Sequence, residues 1–484
     1  MYVRRQSKLS KFSSKKWIPH KYQLRAIAKG ITHKYLAYFL DPGLGKTSII
    51  LQLFKILKAN DHVKAILVVA PLRPCYLVWP KEVRKWKNFS NISITVLHDE
   101  WKVPKNISIK QKHDIYVINP EGLPWLLKQL KGKRKVNWPF DMLVVDESTK
   151  FKNMSSGRFK NIKWMLGAFK RRYILTGTPI PNGLRNIQGQ MCIVDQGESF
   201  GTKKSYFYHD YFKRIGRPEW NNWVPKDKQC EIAIYKKVAK FTMRMKATDY
   251  LELPEKIINP IVIKLPRKAQ KYYDEMEADL FTLVEQDELN AATSGVASMK
   301  CHQIANGCVY KDVDPLLPKP KTKEFVLIHE QKLNALEDLI EELDGKPLLI
   351  GYNFKHDLIQ LKKRFKGIKV IEGNMTQTSK IESDWNKGKI PLLAAYPGSN
   401  ALGLNLQECG QDVCFYSLIH NYEDYDQFIL RVLRQGNDSK YVRVHQIIAE
   451  NTIDEAILMS LNAKERKQNT FLDAIKRYAK TKSS

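Results

Sequence analysis

A glycine-rich loop separates an apolar strand from an apolar helix near the start of this 484-residue chain. The loop reads Asp41-Pro42-Gly43-Leu44-Gly45-Lys46-Thr47, after the apolar run 35–40 and before the helical pattern of residues 48–54. Such a loop delivers an anionic group to a helix N-terminus, where unpaired backbone N–H groups and the helix dipole favour negative charge. The feature therefore predicts a phosphate-binding loop in an α/β sheet.

Residue types within the loop indicate distinct roles toward a nucleotide. Gly43 and Gly45 let the backbone approach the phosphates, and Lys46 would reach the β- and γ-phosphates. The hydroxyl of Thr47 would ligate Mg²⁺. The predicted nucleotide-binding residues of the loop are Gly43, Leu44, Gly45, Lys46, Thr47 and Ser48. The full phosphate-loop pattern has a further glycine, and Leu40 stands at that position here.

A second motif ends another apolar run with two carboxylates. Residues 141–145 precede Asp146 and Glu147, and open parallel sheets bind their ligands at the carboxyl ends of strands. Asp146 would hold Mg²⁺ through water, and Glu147 would polarise the attacking water. Together with Lys46, these carboxylates predict an enzyme that hydrolyses ATP with Mg²⁺.

The composition indicates a globular chain with a polyanionic partner. Lys and Arg number 81 against 50 Asp and Glu, so the formal net charge is +31. An excess of this size is typical of proteins that bind nucleic acid. Hydrophobic residues make up 43% of the chain, yet no run of 18 apolar residues predicts a membrane span. Seven cysteines without a Cys-x-x-Cys pair favour reduced thiols and a cytoplasmic location, nucleoid-associated or, for a viral protein, in the host cytoplasm.

Strand-then-helix units dominate two regions of the chain and predict a doubly wound parallel α/β fold in each. Only the first region contains a phosphate loop. The predicted organisation is a basic N-terminal tail over 1–16, a first lobe with an aromatic and helical insertion over 17–250, a helical linker over 251–328, a second lobe over 329–462 and a basic C-terminal tail over 463–484.

The second lobe is predicted to supply cations to the γ-phosphate. Arg431 and Arg434 are three residues apart, so they would share one face of a helix. An arginine contributed by a partner domain can raise the hydrolysis rate by about 10³–10⁵. The predicted catalytic residues are therefore Lys46, Asp146, Glu147, Arg431 and Arg434.

Motifs along nearly the whole chain carry a family resemblance. In chain order they lie at residues 20–23, 69–72, 79–86, 146–153, 175–182, 251–256, 301–306, 401–406 and 427–436. In this order they resemble the motifs of superfamily-two helicase-type motors, and among these the Swi/Snf-like DNA translocases in a compact viral or bacterial form. The resemblance implies two RecA-like lobes flanking an ATP cleft. The acidic motif departs from the family at Thr149, where the family has His.

The resemblance also implies roles for individual residues. Gln23 matches the glutamine that reads adenine. Three residues match the motif that contacts the DNA backbone: Pro71, Lys81 and Lys85. Six residues match motifs that couple the ATP state to the DNA track or complete the second lobe: Thr176, Gly177, Thr178, Gly403, Asn405 and Gln427.

A family of this kind implies a DNA-dependent ATPase that moves along duplex, forked or branched DNA, in replication, recombination or repair. Its contacts would be with the phosphate backbone, with low sequence specificity, and the protein is predicted to act as a monomer. Two other functions fit the same motifs. One is a helicase that separates strands of DNA or, less readily, RNA. The other is an ATP-switched clamp that binds nucleic acid without moving.

Overall fold

The computed structural model describes residues 15–480, apart from 132–133, 135–136, 217–221, 286–290, 312–323, 373–374 and 399–402. The chain forms two compact units. The first contains the residues up to Phe212, the segment Pro225–Tyr250 and the residues from Thr470 onward. The second contains Lys213–Val224 and Leu251–Asn469. The N-terminal tail predicted over 1–16 lies outside the described residues except for its last two positions.

A seven-stranded parallel sheet forms the centre of the first unit, in the order β3-β4-β2-β5-β6-β1-β9. The strands up to β9 are β1 Tyr35–Leu40, β2 Ile66–Val69, β3 Ile94–Val96, β4 Ile115–Ile118, β5 Met142–Asp146, β6 Arg171–Thr176, the two-stranded pair β7 Phe212–Arg214 and β8 Trp223–Pro225, and β9 Thr242–Met245. Strands β2, β4 and β6 are buried at every residue. Burial explains why β2 and β4 read as continuous apolar or aromatic runs, whereas β6 begins with two buried arginines, Arg171 and Arg172.

The helices up to α10 connect these strands. They are α1 Lys21–Thr32, α2 Lys46–Ala59, α3 Leu72–Leu77, α4 Trp79–Lys85, α5 Lys105–Ser108, α6 Leu123–Leu130, α7 Gly157–Met165, α8 Ile187–Asp195, α9 Lys204–Tyr211 and α10 Lys228–Lys240. The segments that follow β1, β2, β5 and β6 all leave the same edge of the sheet, because the strands are parallel. The motifs predicted to bind ATP and to couple it to DNA therefore begin at one edge.

The second unit has a six-stranded parallel sheet in the order β10-β17-β16-β13-β15-β14. Its strands are β10 Glu255–Ile263, the antiparallel pair β11 Cys308–Tyr310 and β12 Phe325–Leu327, β13 Leu348–Gly351, β14 Lys369–Val370, β15 Leu392–Ala395, β16 Asp412–Phe415 and β17 Tyr441–Ala449. Its helices are α11 Arg267–Glu285, α12 Ala291–Ala305, α13 Gln331–Glu342, α14 Lys355–Arg364, α15 Met375–Asn386, α16 Tyr422–Ile429 and the first part of α17 Ile453–Lys480, whose residues from Thr470 onward belong to the first unit. The prediction of two parallel-sheet α/β lobes is confirmed.

Two segments differ from the predicted organisation. Residues 255–263, assigned to a helical linker, form strand β10, which pairs with β17 along nine residues. Residues 463–480, assigned to a basic tail, belong to helix α17. Basic residues are frequent in this segment, but they alternate with apolar ones, and Phe471, Leu472 and Ile475 are buried. Phe471 packs against Phe39 and Tyr235 within the first unit, with ring centroids 6.4 Å and 5.6 Å apart.

A buried polar network fixes the motif at residues 301–306 within the second unit. Lys332 donates to Asp454 at 2.6 Å and to the side-chain oxygen of Asn306 at 2.6 Å, and all three residues are buried. Asn306 also donates to the Ser417 hydroxyl at 2.6 Å. Burial would raise the pKa of Asp454, but Lys332 and His302 hold it below its usual value.

Among the described residues, no helix is both long and apolar enough to cross a membrane.

Candidate ATP site

The phosphate loop connects the end of β1 to the first residue of α2. Gly43 and Gly45 have φ values of +89° and +75°, in the left-handed region where side chains with a Cβ are disfavoured. Gly45 immediately precedes α2. Because glycine has no side chain, it cannot cap the N–H groups at the start of the helix. The first turn of α2 therefore presents its backbone N–H groups to the loop, as a phosphate site requires.

Lys46 lies in this first turn and bends back over the loop. Its ammonium donates to the Leu40 carbonyl at 2.9 Å and lies 3.5 Å from the Asp41 carbonyl. These bonds hold a positive charge beside the loop glycines. Arg244 of β9 forms an ion pair with Asp41 and also donates to the Phe39 carbonyl at 3.2 Å, which fixes the strand end from the other side.

Gln23 of α1 lies directly beneath the loop. Its amide nitrogen donates to the Leu44 carbonyl at 3.2 Å, and its oxygen accepts from the His20 N–H at 3.0 Å. A Cβ added to Gly45 would lie 2.6 Å from the Gln23 nitrogen, so a larger residue there would displace the Gln23 amide from the loop. The structure thus brings Gln23 to the loop, while its part in adenine recognition stays a prediction.

Asp146 and Glu147 follow at the end of β5. The indole N–H of Trp79 donates to Asp146 at 3.1 Å. Burial raises the pKa of the Asp146 carboxyl, and the positive charge of Lys46 and the Trp79 bond act in the opposite direction. Glu147 adopts a left-handed backbone, with φ of +52°, which turns the chain sharply after Asp146. Strand β6 pairs with both β1 and β5, so the phosphate loop and the Asp146-Glu147 turn leave the same edge of the sheet one strand apart.

The residues present suit a magnesium ion. Mg²⁺ prefers oxygen ligands and keeps several waters while bridging to phosphates, so a site of one or two protein ligands is typical. Thr47 supplies a hydroxyl and Asp146 a carboxylate whose buried charge a cation would stabilise, consistent with its raised pKa. Within the described part of the chain, no cluster of three or more His, Cys, Asp or Glu residues could hold a metal by itself.

Helix α4 contributes two residues that the sequence did not identify as part of this site. Besides Trp79, Glu82 accepts a hydrogen bond from the buried hydroxyl of Ser48, and the indole N–H of Trp86 donates to the same carboxylate at 2.7 Å. Ser48 was predicted to bind the nucleotide, and its hydroxyl is bonded to Glu82 here. The signal for these contacts was the helical spacing of Trp79, Glu82 and Trp86, which places them on one face.

The same helix carries residues predicted to contact DNA. Lys81 and Lys85 are exposed on α4, and the Lys85 ammonium lies 4.8 Å from the centre of the Trp86 ring. Pro71 immediately precedes α3 and is half-buried. The structure therefore places the two lysines on the helix that also carries Trp79 and Glu82.

The predicted coupling motif follows β6 and contacts the phosphate loop. A Cβ added to Gly177 would lie 3.0 Å from Cδ of Pro42, so these two turns pack closely. The backbone N–H of Thr178 donates to the Thr176 hydroxyl at 3.1 Å, and both threonines are buried. The structure thus places the motif beside the phosphate loop, while its part in coupling the ATP state to DNA stays a prediction.

Gln190 is a further residue of this region that the sequence did not reveal. It lies on α8 and is fully buried. Its side chain accepts from the Ser148 hydroxyl at 2.7 Å and donates to the Pro179 carbonyl at 2.6 Å. A glutamine inside an apolar helix gives no local signal of this kind, because its partners come from two distant turns.

The arginines of the second unit do not lie on a helix, contrary to the prediction. Helix α16 ends at Ile429, and Arg431 and Arg434 follow in a series of turns. Beyond the helix, the Arg431 carbonyl accepts from the backbone N–H of Leu406 at 3.1 Å, which ties this segment to the neighbouring loop. Gly436, with φ of +88°, lies in the turns that follow.

Both arginines instead hold the neighbouring motif at residues 403–406. Arg431 donates to the Leu404 carbonyl at 3.3 Å and, through Nε, to the Gln427 carbonyl at 3.1 Å. Arg434 donates to the side-chain oxygen of Asn405 at 2.5 Å. Gly403 and Asn405 therefore lie beside the arginine segment, whereas Ala401 and Leu402 of the same motif are outside the described residues. Gln427 is buried at the end of α16.

Comparison with known proteins agrees with this arrangement of motifs. Residues 38–310, more than half of the chain, match the SNF2-related domain. The chain belongs to the SNF2-related family. It is thus a helicase-type hydrolase that uses ATP.

Individual relatives extend this similarity over most of the chain. Protein p41 of Acyrthosiphon pisum secondary endosymbiont phage 1 is 33% identical over 476 residues, which cover 96% of this SNF2-related chain and all of p41. A Mycoplasma genitalium protein named as an uncharacterized ATP-dependent helicase, MG018, is 27% identical over 88% of the chain. The chain matches only 39% of that protein's length. The solved Sulfolobus solfataricus SWI2/SNF2 ATPase core in complex with dsDNA is 21% identical, with a TM-score of 0.43, and the match covers 96% of this chain and 94% of that one.

Proposed function

We propose that this SNF2-related protein is an ATP-dependent motor that moves along duplex or branched DNA. Its cellular role would be the remodelling of forks or the migration of branches during replication, recombination or repair. The protein would act as a monomer and contact the phosphate backbone, with little dependence on base sequence.

The distribution of charged catalytic groups between the two units carries this proposal. Lys46, Asp146 and Glu147 belong to the first unit, whereas Arg431 and Arg434 belong to the second. If the arginines complete the ATP site, hydrolysis depends on the second unit approaching the first and ends with its release. A cycle of this kind converts a chemical step into movement between two units that grip the same strand.

Within the first unit, each residue would have a defined part in the chemistry. The loop backbone and Lys46 would bind and orient the triphosphate, and Glu147 would orient the attacking water. Thr47 and Asp146 would hold Mg²⁺, which neutralises charge that develops on the phosphates. Arg434 and Arg431 would stabilise the same charge from the second unit.

Helix α4 supports a link between this chemistry and DNA. Trp79 and Glu82 bond residues of the ATP site, while Lys81 and Lys85 are exposed on the same two turns. A rigid helix that contacts both a nucleotide site and a phosphate backbone would transmit a shift from one to the other. The net charge of +31 favours binding to a polyanion in general.

Replacing Lys81 and Lys85 together with alanine is expected to weaken duplex binding and to reduce its salt dependence. Each lost phosphate contact should lower the slope of log affinity against log salt by about 0.9. The measurement is a titration of labelled duplex DNA at several salt concentrations, with melting temperature as a check on folding. The matched control replaces two exposed lysines of the second unit, Lys363 and Lys366. An equal change in both double variants would show that α4 makes no specific contact with DNA.

A further inference from the structure

The side chain of Gln190 joins two catalytic segments of the first unit. Its oxygen accepts from the Ser148 hydroxyl at 2.7 Å, and its nitrogen donates to the carbonyls of Pro179 and Asn186 at 2.6 Å and 2.8 Å. Ser148 directly follows Glu147, and Pro179 directly follows Thr178. One amide therefore connects the turn that positions Glu147 to the predicted coupling motif.

The orientation of this amide follows from its partners. Backbone carbonyls only accept hydrogen bonds, so the NH₂ group must face Pro179 and Asn186 and the oxygen must face the hydroxyl. Both N–H donors are then used. Because Gln190 and Ser148 are fully buried, water is not at hand to replace either bond when it is lost.

Backbone packing holds the same helix against the acidic motif. Gly189 precedes Gln190 on α8, and a Cβ added there would overlap the Phe151 carbonyl in the turn 148–151. Any larger residue at position 189 would push α8 away from that turn. The close approach allows the short Gln190 side chain to reach Ser148.

Thr149 bears on how the acidic motif is connected to the coupling motif. The family has His at this position, whereas Thr149 is 1% exposed and belongs to the turn 148–151 itself. The hydroxyl that bonds across to the coupling motif through Gln190 belongs to the preceding residue, Ser148. The chain therefore has a link between the two motifs that does not depend on a histidine.

We propose that Gln190 is a positioning residue that couples the segment 175–179 to Glu147. This inference rests on the proposed function, since it assumes that DNA acts on the coupling motif. A displacement of Pro179 is transmitted through the Gln190 amide to Ser148, and so to the backbone that orients Glu147. The partners of the amide, Ser148, Pro179 and Asn186, lie outside the phosphate loop, so we expect ATP affinity not to depend on it.

The test compares two glutamines of the same helix. Gln190→Met keeps the length of the side chain and removes the amide. The control is Gln188→Met, because Gln188 is also buried and donates to two carbonyls, of Phe200 and Lys203, at 3.2 Å and 3.1 Å. For each variant, the ATP turnover number and KM are measured with and without saturating duplex DNA, together with the melting temperature.

We expect Gln190→Met to lower DNA-stimulated turnover by about tenfold, as the loss of a buried hydrogen-bonded link allows. Its KM for ATP should stay close to that of Gln188→Met, while the ratio of turnover with DNA to turnover without DNA should fall well below that of Gln188→Met. Equal DNA stimulation in the two variants would overturn the inference. If the native protein itself shows no stimulation by DNA, the proposed function fails instead.

Ser148→Ala provides a second, milder variant in case Gln190→Met does not fold. It removes only the hydroxyl and should reduce DNA stimulation in the same direction. In the double variant the two effects should not add, because both remove the same bond. Additive effects would show that Ser148 and Gln190 act separately, which contradicts the proposed link.

Discussion

Replacing Lys46 with alanine is expected to reduce ATP hydrolysis at least about a hundredfold, the usual effect of losing one preorganised donor to a developing charge. The Lys46 ammonium is held beside the phosphate loop by the Leu40 carbonyl at 2.9 Å. Its loss removes the positive charge that would contact the β- and γ-phosphates. The measurement is steady-state phosphate release at saturating ATP and duplex DNA.

Lys55→Ala is the matched control for this variant. Lys55 lies on the same helix, α2, and likewise donates to a backbone carbonyl, that of Asn88 at 2.8 Å. Its substitution removes one lysine and one bond without approaching the loop. Native turnover in Lys46→Ala would contradict the assignment of the ATP site, whereas a loss in both variants would indicate general damage to α2.

Arg434→Ala is expected to lower turnover by about 10³–10⁵, the range observed for arginines supplied by a partner domain. Nucleotide affinity should be nearly unchanged, since the loop, Lys46 and Gln23 all belong to the first unit. The two quantities are separated by equilibrium binding of a labelled nucleotide and by single-turnover hydrolysis.

Asn405→Ala separates the catalytic role of Arg434 from its structural one. The hydrogen bond between Arg434 and Asn405 is lost in either variant, but Asn405→Ala keeps the guanidinium. We therefore expect a much smaller loss of turnover in Asn405→Ala. A collapse of nucleotide affinity in Arg434→Ala, with turnover per bound ATP preserved, would show that the arginine does not act on the γ-phosphate.

The sequence was sufficient for the phosphate loop and for the sheet around it. An apolar run, two glycines and a Lys-Thr pair specify β1, the loop and α2 through local rules alone. The end of β5 at Asp146 was also predictable, because a buried parallel strand reads as a continuous apolar run. Parallel strands then bring such ends to one edge without further information.

Tertiary contacts decided what the sequence did not show. Arg431 follows a helical pattern, yet helix α16 ends at Ile429, and the Arg431 carbonyl accepts from the backbone N–H of Leu406, a residue distant in sequence. Glu82 bonds to Ser48, 34 residues away, and Gln190 bonds to Ser148, 42 residues away, so no local pattern indicates either contact. Residues 463–480 are rich in Lys and Arg, so the apolar side chains among them, including the buried Phe471, did not stand out in the sequence.

Displacement of a third strand from an uninterrupted DNA duplex tests the central claim most directly. We predict that the protein removes the triplex-forming strand when ATP is present, and that Lys46→Ala does not. This outcome requires movement along the duplex, since the triplex lies beyond the initial binding site and no strands of the duplex need separate. Hydrolysis of ATP stimulated by DNA, without displacement of the third strand, would contradict the account and favour an ATP-switched clamp. Unwinding of a forked duplex without triplex displacement would contradict it in favour of a strand-separating helicase.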